Sequence, residues 1–527
     1  MPTLTRRRFT QLAAFTLPQI LVRSHARAQA DVGRLGGGAH EFTILFTNDF
    51  HSAFRPIPAY WLRGTPRLGG AAHLATLIER ERAAASTSFL LDSGDMFTGT
   101  MSFLTKGEAL MEMMTVMRYD AMGAGNHEFD YGWKSFDRAI TRVPFPVLCC
   151  NIRHRGSDVR FMRPYTILER GGVRLGVIGV MGLRAAHQTI MPSKVAELEF
   201  TDPIASAAAC VRELRGTVDT IVVLGHQGLP GPMQTDAENE PSIQRSLDED
   251  LAFCGAVPGI DLYIAAHSHH GLEQPLRHPD TGTLLLQTYG YGTRLGRIRL
   301  KVKDRRVVAH EGELLKVWSD ELPGHAGVAD RIAHYRRTVA EQIGPVLGRA
   351  TRRIVRKYNA ESPLGSFVAD VLRNRMKTDL ALTNAGGLRA DLPEGELDRS
   401  HVLDAFPFIN NATTVELAGR EVKAAIEHGL SLQAGMAQAS GVQATYDLRR
   451  PAGARLVSLR IGGEPVADDR LYRVATNNFL AEGGDGYAAF KRGRVIATDA
   501  SISDLLIGHV RSAGAIDVPT PGRLLPA

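Results

Sequence analysis

Five short clusters of carboxylate, imidazole and amide side chains lie in the first half of the chain. They read Asn48-Asp49-Phe50-His51, Asp92-Ser93-Gly94-Asp95, Gly125-Asn126-His127-Glu128-Phe129-Asp130, Gly225-His226-Gln227 and Ala266-His267-Ser268-His269. Each follows a run with the composition of a buried strand: Phe42 to Thr47, Ser88 to Asp92, Ala121 to Gly123, Thr220 to Leu224 and Leu262 to Ala265. Open α/β sheets place their ligand crevice outside the carboxyl ends of the strands, so the five clusters are expected to meet there. Aspartate, histidine and asparagine suit hard or borderline divalent cations, and one carboxylate can bridge two of them. Two such ions about 3.5–4 Å apart clamp a phosphoryl group and lower the pKa of a water toward neutrality. A lone histidine is better read as a core or surface residue. Five clusters at strand ends are better read as a dinuclear centre.

The elements that must carry these groups alternate as in an α/β layered domain. Helices are expected over Ala71 to Ala85 and Gly107 to Met117, and a further buried strand over Val173 to Val180. Phe145 to Ile152 reads as a strand, and Leu284 to Thr288 with Leu295 to Val302 continue the sheet toward an antiparallel end near Trp318. Ala326 to Ile343 has helical spacing and is closed by Gly344-Pro345, as a linker helix would be. A second α/β unit follows, with helix Pro363 to Arg375, strand Leu380 to Thr383, helix Gly419 to Gly429 and strand Leu471 to Thr476. The 527 residues thus divide into 1–30, a signal peptide; 31–40, a flexible leader with Gly36-Gly37-Gly38; 41–325; the linker 326–345; and 346–527.

The first thirty residues pose a separate problem. Thr5-Arg6-Arg7-Arg8-Phe9 precedes an apolar run from Leu12 to Val22 and then Ala28-Gln29-Ala30, which is a charged region, a short apolar core and a small-residue cleavage site. The arginine pair before Phe9 is similar to a twin-arginine signal, so export to the periplasm with cleavage after Ala30 is expected. This segment holds five of the 62 basic residues and no acid, leaving 57 against 56 acidic ones in the rest. A near-neutral mature chain argues against a nucleic-acid polymer as partner, and no stable membrane insertion is expected. Cys149, Cys150, Cys210 and Cys254 are too few for a disulfide framework in such a chain and read as buried thiols, Cys254 in a helix-to-strand loop. Met111, Met113, Met114 and Met117 read as core packing, and His154, His187, His270 and His401 as surface or loop residues.

Asp-x-His, Gly-Asp, Gly-Asn-His-Glu and His-x-His in this order resemble the calcineurin-like metallophosphoesterases. With the C-terminal half the resemblance narrows to the bacterial periplasmic 5'-nucleotidase and UDP-sugar hydrolase family, over about Phe42 to Phe490. It implies a four-layer α/β/β/α metallophosphoesterase domain, a linker helix and a C-terminal α/β nucleotide-binding domain. It assigns Asp49, His51 and His269 to one divalent metal and Asn126, His226 and His267 to the other, with Asp95 bridging; zinc and manganese suit such ligands. His127 matches the catalytic histidine and Asp130 the carboxylate that orients it.

Asn384-Ala385-Gly386-Gly387-Leu388-Arg389 resembles the family's nucleotide loop, with Asn384 toward the nucleoside and Arg389 toward phosphate. Phe408, with Asn410 close behind it, and Phe479 match the residues around the base, which two rings sandwich, and Asp485 matches the carboxylate that takes ribose hydroxyls. The alternative for both rings is a place in the core. One position departs from the pattern: Pro363 stands before Leu364-Gly365, where some animal members carry a further phosphate-binding arginine.

The expected activity is removal of phosphate from nucleoside 5'-monophosphates, with UDP-sugars as further substrates. A 2',3'-cyclic nucleotide phosphodiesterase typically has Asn where this chain has Asp130. The related thiosulfohydrolase of sulfur oxidation departs from Gly-Asn-His-Glu, and a non-enzymatic nucleotide binder has no need of His127 and Asp130 beside a full ligand set.

Overall fold

A computed structural model describes residues 39–59, 61–229 and 247–527. The expected signal peptide and almost all of the expected leader, including its glycine run, lie outside the described residues. Among the described residues no helix is long and apolar enough to cross a membrane.

The first domain is built on two six-stranded sheets. In the first, strand His40–Thr47 sits centrally, parallel to Ser88–Asp92, which is followed by Ala121–Gly123 and Val147–Leu148. On its other side Arg294–Lys303 and Arg306–Lys316 add an antiparallel hairpin. The second sheet has a parallel centre of Val173–Met181, Thr220–His226, Leu262–Ile264 and Leu284–Leu286, with an antiparallel strand at each edge.

Successive side chains of a strand point to opposite faces, and this period of two sorts the core into layers. Phe42, Ile44 and Phe46 of the first sheet share a core with Leu175, Val177, Val222 and Leu224 of the second, between the sheets. Leu45, Leu90 and Met122 face away and pack beneath helices Ala71–Ala84, Glu108–Val116 and Trp133–Ile140. On the far face of the second sheet, Val180, Val223 and Tyr263 are covered by helices Pro203–Leu214 and Asp248–Ala256. The result is the α/β/β/α layering that the resemblance implies. Where the sheets come closest the chain has glycine: a Cβ on Gly179 would lie 2.0 Å from the Leu148 carbonyl oxygen.

Helix Ala326–Ile343 forms over the expected residues, capped by the His325 side chain at its start and by Gly344, at φ 70°, at its end. It is more than a connector, because Val328 and Val339 are buried in the core of the first domain. In the second domain, a five-stranded sheet runs Gln438–Ser440, Leu380–Thr383, Leu471–Asn477, Asn411–Ala418 and Arg494–Ser501. Helices Pro363–Met376 and Gly419–Leu430 cover it, each a residue longer than expected.

Three sequence expectations need correction. The run Phe145 to Ile152 is not one strand: Val147–Leu148 ends in a turn, and Ile152–His154 joins a separate two-stranded ribbon. Leu284–Leu286 and Arg294–Lys303 belong to different sheets, a distinction that depends on partners distant in sequence. Cys254 lies inside helix Asp248–Ala256 rather than in a loop. All four cysteines are free and buried, and the four methionines are packed in the first core.

Candidate metal centre

The five clusters converge. Asp49, His51, Asp95 and Asn126 come from loops that follow strands of the first sheet, and His226, His267 and His269 from strand ends of the second. Three groupings could each hold a metal ion: Asp49, His51 and His269; Asp95, His226 and His267; and His51, Asp95 and His127. His51 Nε2 lies 3.0 Å from His269 Nε2, and His226 Nε2 lies 3.0 Å from the Asn126 side-chain oxygen. Asp95 Oδ2 is 4.0 Å from His51 Nε2 and 3.2 Å from His226 Nε2, so this one carboxylate faces both groups.

These distances fit resident cations. His226 Nδ1 sits 2.9 Å from the Ser93 carbonyl and His51 Nδ1 3.3 Å from that of Phe97, which leaves each Nε2 turned inward as a lone-pair donor. His267 Nε2 is buried without a hydrogen-bond partner. Burial works against a charge on either His226 or His267. The Asp95 and Asp49 carboxylates nonetheless push His226 up to about 10, while His267, beside His226, is pushed down to about 3.

The backbone that delivers these groups is unusual. Asp49, His51, Asp95, His267 and His269 all have positive φ, between 47° and 72°. Non-glycine residues seldom adopt this region, and such conformations persist where surrounding contacts impose them. Glu128 supplies much of that constraint. Its fully buried carboxylate accepts the N–H groups of Asp95 at 3.0 Å, Met96 at 2.9 Å, Phe97 at 3.3 Å and Gly125 at 2.7 Å. Burial, then the nearby Asp95 charge, pushes the Glu128 carboxyl up to about 7. Gly94 is required by the same close approach, since a Cβ there would lie 2.4 Å from the Gly125 nitrogen.

His127 stands at the rim of the cluster. Its Nδ1 is 3.0 Å from Asp130 Oδ2, and its Nε2 is 3.9 Å from Asp95 Oδ2. Burial opposes its protonation, but the Asp130 and Asp95 carboxylates outweigh it and hold the pKa above the usual imidazole range. From the second domain, an Arg389 terminal nitrogen reaches within 3.3 Å of His127 Nε2 and 3.4 Å of His51 Nε2.

A cavity of about 90 Å³ connects this cluster to the second domain, lined at one end by Asp95, Asn126 and His127 and at the other by Asn384, Phe479 and Asp485. Phe408 lies nearly parallel to the His127 ring, 5.6 Å between centroids and 25° between planes. Asn410 lines the same cavity. Both phenylalanines are half-buried, Phe408 packed against one core of the second domain and Phe479 against another. Asn384 donates to Asp485 at 2.6 Å, and burial, eased by that bond, still pushes the Asp485 carboxyl up to about 6.

Sequence reasoning missed three contributors. Glu128 was visible within Gly-Asn-His-Glu but carried no role, because its partners are backbone groups. Thr189 and Lys194 of the first domain line the cavity although no motif surrounds them. The set-aside histidines stay outside the cluster; His187 is exposed, and His401 closes a capping box with Asp398.

Comparison with known proteins points the same way. Residues 42–271 match the calcineurin-like phosphoesterase family, and residues 340–492 match the 5'-nucleotidase C-terminal domain. The trifunctional nucleotide phosphoesterase protein YfkN of Bacillus subtilis is 29% identical over 86% of this chain, which spans only 32% of that relative's length. Human 5'-nucleotidase is 26% identical, with 86% of this chain and 85% of the relative aligned. Among solved structures, a 5'-nucleotidase precursor from Thermus thermophilus superposes with a TM-score of 0.81 at 28% identity, covering 92% of this chain and 99% of that one. The sulfate thiohydrolase SoxB of Thermus thermophilus shares the fold, with a TM-score of 0.76 at 19% identity, covering 92% of this chain and 96% of that one.

The Glu128 clamp makes a direct prediction. Glu128→Ala orphans four buried N–H groups, each worth about 1–3 kcal/mol of desolvation, so unfolding should become several kcal/mol easier and bound metal should fall. Glu128→Gln keeps one acceptor oxygen and should fall between. Denaturant melts and metal analysis check this, and a wild-type melt for Glu128→Ala would remove the clamp.

Proposed function

Since the chain belongs to the family that joins a calcineurin-like phosphoesterase domain to a 5'-nucleotidase C-terminal domain, and is a metal-dependent phosphoester hydrolase, we propose that it removes phosphate from nucleoside 5'-monophosphates and also cleaves other nucleotides such as UDP-sugars. The observation that carries this reading is the shared cavity. One end offers the carboxylate and imidazole cluster, and the other offers two half-buried rings, an Asn–Asp pair and a guanidinium. Flat aromatic faces suit a base, the Asp485 carboxylate suits ribose hydroxyls, and Arg389 suits phosphate oxygens.

In this reading Asp49, His51 and His269 would hold one divalent ion and Asn126, His226 and His267 the other, with Asp95 facing both groups; zinc or manganese fits the donor set. When bound, the ions supply positive charge to the phosphoryl oxygens and make a nearby water more acidic. His127 donates a hydrogen bond to charge developing on the phosphoryl group, and Asp130 fixes the ring so that Nε2 faces inward. Arg389 closes the site from the second domain and orients phosphate before the reaction. The Asp130 contact to His127 favours this reading over a cyclic phosphodiesterase, and Asn126 with His127 over a thiosulfohydrolase. Export by the twin-arginine route to the periplasm completes the proposal, with Arg6, Arg7 and Arg8 as the receptor-read element.

Asp95→Asn removes the charge shared by two cations. Metal analysis should show both equivalents reduced; two full equivalents with unchanged activity would refute bridging.

His127→Ala should lower kcat for AMP and for a small aryl phosphate alike, by about 10²-fold or more. Replacing Phe408 and Phe479 together by Ala should instead raise KM for AMP while sparing the aryl phosphate. Equal loss on both substrates would make the rings structural and end the base-sandwich assignment.

Changing Arg6, Arg7 and Arg8 all to Lys should leave the protein in the cytoplasm on fractionation. Normal export of that triple variant would point to the general secretory route instead.

A further inference from the structure

The cavity between the metal cluster and the two rings has one wall that the second domain does not supply. Helix Leu183–Thr189 of the first domain packs on the turn Gly484–Gly486 of the second, and the segment after it borders the cavity as far as Lys194. Phe479 sits against the same turn, since a Cβ on Gly484 would lie 2.3 Å from its ring. Its neighbour Asn478 meets the Met191 sulfur at 3.5 Å. This stretch of the first domain therefore stands beside one ring, while Phe408, the other, lies along the His127 ring. A base held between the rings has both faces covered, so polar recognition of its identity falls to groups at its edge.

The polar groups around the rings differ in what they can offer. Asn384 donates to Asp485 at 2.6 Å. The Asn410 amide donates and accepts alike, so it sorts no base from another. The Thr189 hydroxyl spends its proton on the Ala185 carbonyl. Lys194 is different, because an ammonium only donates. It is half-buried, and among the described residues no ion pair engages it. Lys106, 5.2 Å from the centre of the Tyr131 ring, carries a like charge nearby. Burial and then the Lys194 charge hold the Lys106 ammonium below its usual range, so a turn of Lys194 toward Lys106 is opposed. On the second domain, burial pushes the Glu482 carboxyl up, and the Ser193 N–H with the Lys194 and Lys491 charges eases it.

A group that only donates selects by chemistry. Hypoxanthine and uracil carry an exocyclic carbonyl, an acceptor, where adenine and cytosine carry an amino group, a donor. Facing the amino group, the ammonium has lost its water and gained no partner, which costs more than the missing bond alone. We propose that Lys194 reads the base edge from the first domain and turns the enzyme toward nucleotides whose base presents a carbonyl there. The inference rests on the nucleotide reading and narrows its substrate class. The rings that hold the base belong to the second domain and Lys194 to the first, so base identity is read only where the two domains meet.

The test measures kcat/KM of the full metal-loaded protein on IMP, AMP, UMP and CMP, read as two ratios, IMP to AMP and UMP to CMP. Ratios taken on one preparation cancel any loss of folded or metal-loaded protein. Both should exceed one in the wild type. Lys194→Met keeps the apolar stem and loses the donor, and should lower both ratios by about tenfold. Lys194→Glu, which only accepts, should lower them further. If Lys194 serves merely to hold the domains together beside Glu482, all four substrates change by one common factor. Ratios that stay put in both variants, or rise, overturn the proposal and leave the nucleotide reading standing. Cleavage of an aryl phosphate but of none of the four nucleotides would bring down that reading and this inference with it.

Discussion

The structure depends on one buried carboxylate that holds two loops against each other. Glu128 gathers N–H groups from the loop after Ser88–Asp92 and from the loop after Ala121–Gly123, and so fixes the distance between them. Gly94 and Gly125 make that distance sterically feasible, since a Cβ on either would strike the other loop. Asp95 then has no freedom: its own N–H is bound to Glu128, and its Oδ1 accepts the His127 N–H at 2.9 Å. Its remaining oxygen is left facing His51 and His226. The geometry of the carboxylate and imidazole cluster thus follows in part from hydrogen bonds made by backbone.

The other half of the cluster is set by how the two sheets pack. His226, His267 and His269 belong to the second sheet, so their separation from Asp49 and Asp95 is the separation of the layers. Interiors are close-packed and do not deform smoothly, so a glycine such as Gly179 or Gly123 at the contact fixes that spacing. Asn48 ties the layers at the site itself, donating to the Thr288 carbonyl at 3.2 Å and accepting the Thr288 N–H at 2.8 Å. A scaffold this rigid can hold five residues at positive φ, each costing on the order of 1–3 kcal/mol.

What the sequence revealed and what it hid divide along the range of the interaction. The five clusters were legible because each follows its own apolar strand, and the four-layer arrangement because the ordered motifs resemble those of the metallophosphoesterases. Helix Ala326–Ile343 was legible to both ends, because Gly344 stops it whatever it packs against. Its burial through Val328 and Val339 was not, since the partner helices lie more than two hundred residues earlier. The same holds for Leu284–Leu286 and Arg294–Lys303: their sequences read alike, and only distant partners send them to different sheets. Glu128 and Lys194 escaped for a related reason, as one acts on backbone groups and the other reaches a cavity completed by a second domain.

That second domain meets the cluster through Arg389 and through Phe408, which lies against the His127 ring, and polar contacts help to seat it. Thr100 donates its hydroxyl to Asp404 at 2.6 Å and its N–H to the same carboxylate at 3.1 Å, and the Asn478 amide meets the Met191 sulfur at 3.5 Å. The Thr100 hydroxyl also lies 3.0 Å from the Ser400 carbonyl, and hydrogen bonds of this kind each contribute about 0.5–1.5 kcal/mol net. Yet Thr100 lies five residues after Asp95, at the end of the loop whose N–H groups Glu128 grips. The contact that closes the second domain is thus mounted on the segment that positions the central carboxylate. Arg389 of the same domain lies beside His51 and His127, so a ligand held between the cluster and the second domain meets one loop that serves both the central carboxylate and the domain contact.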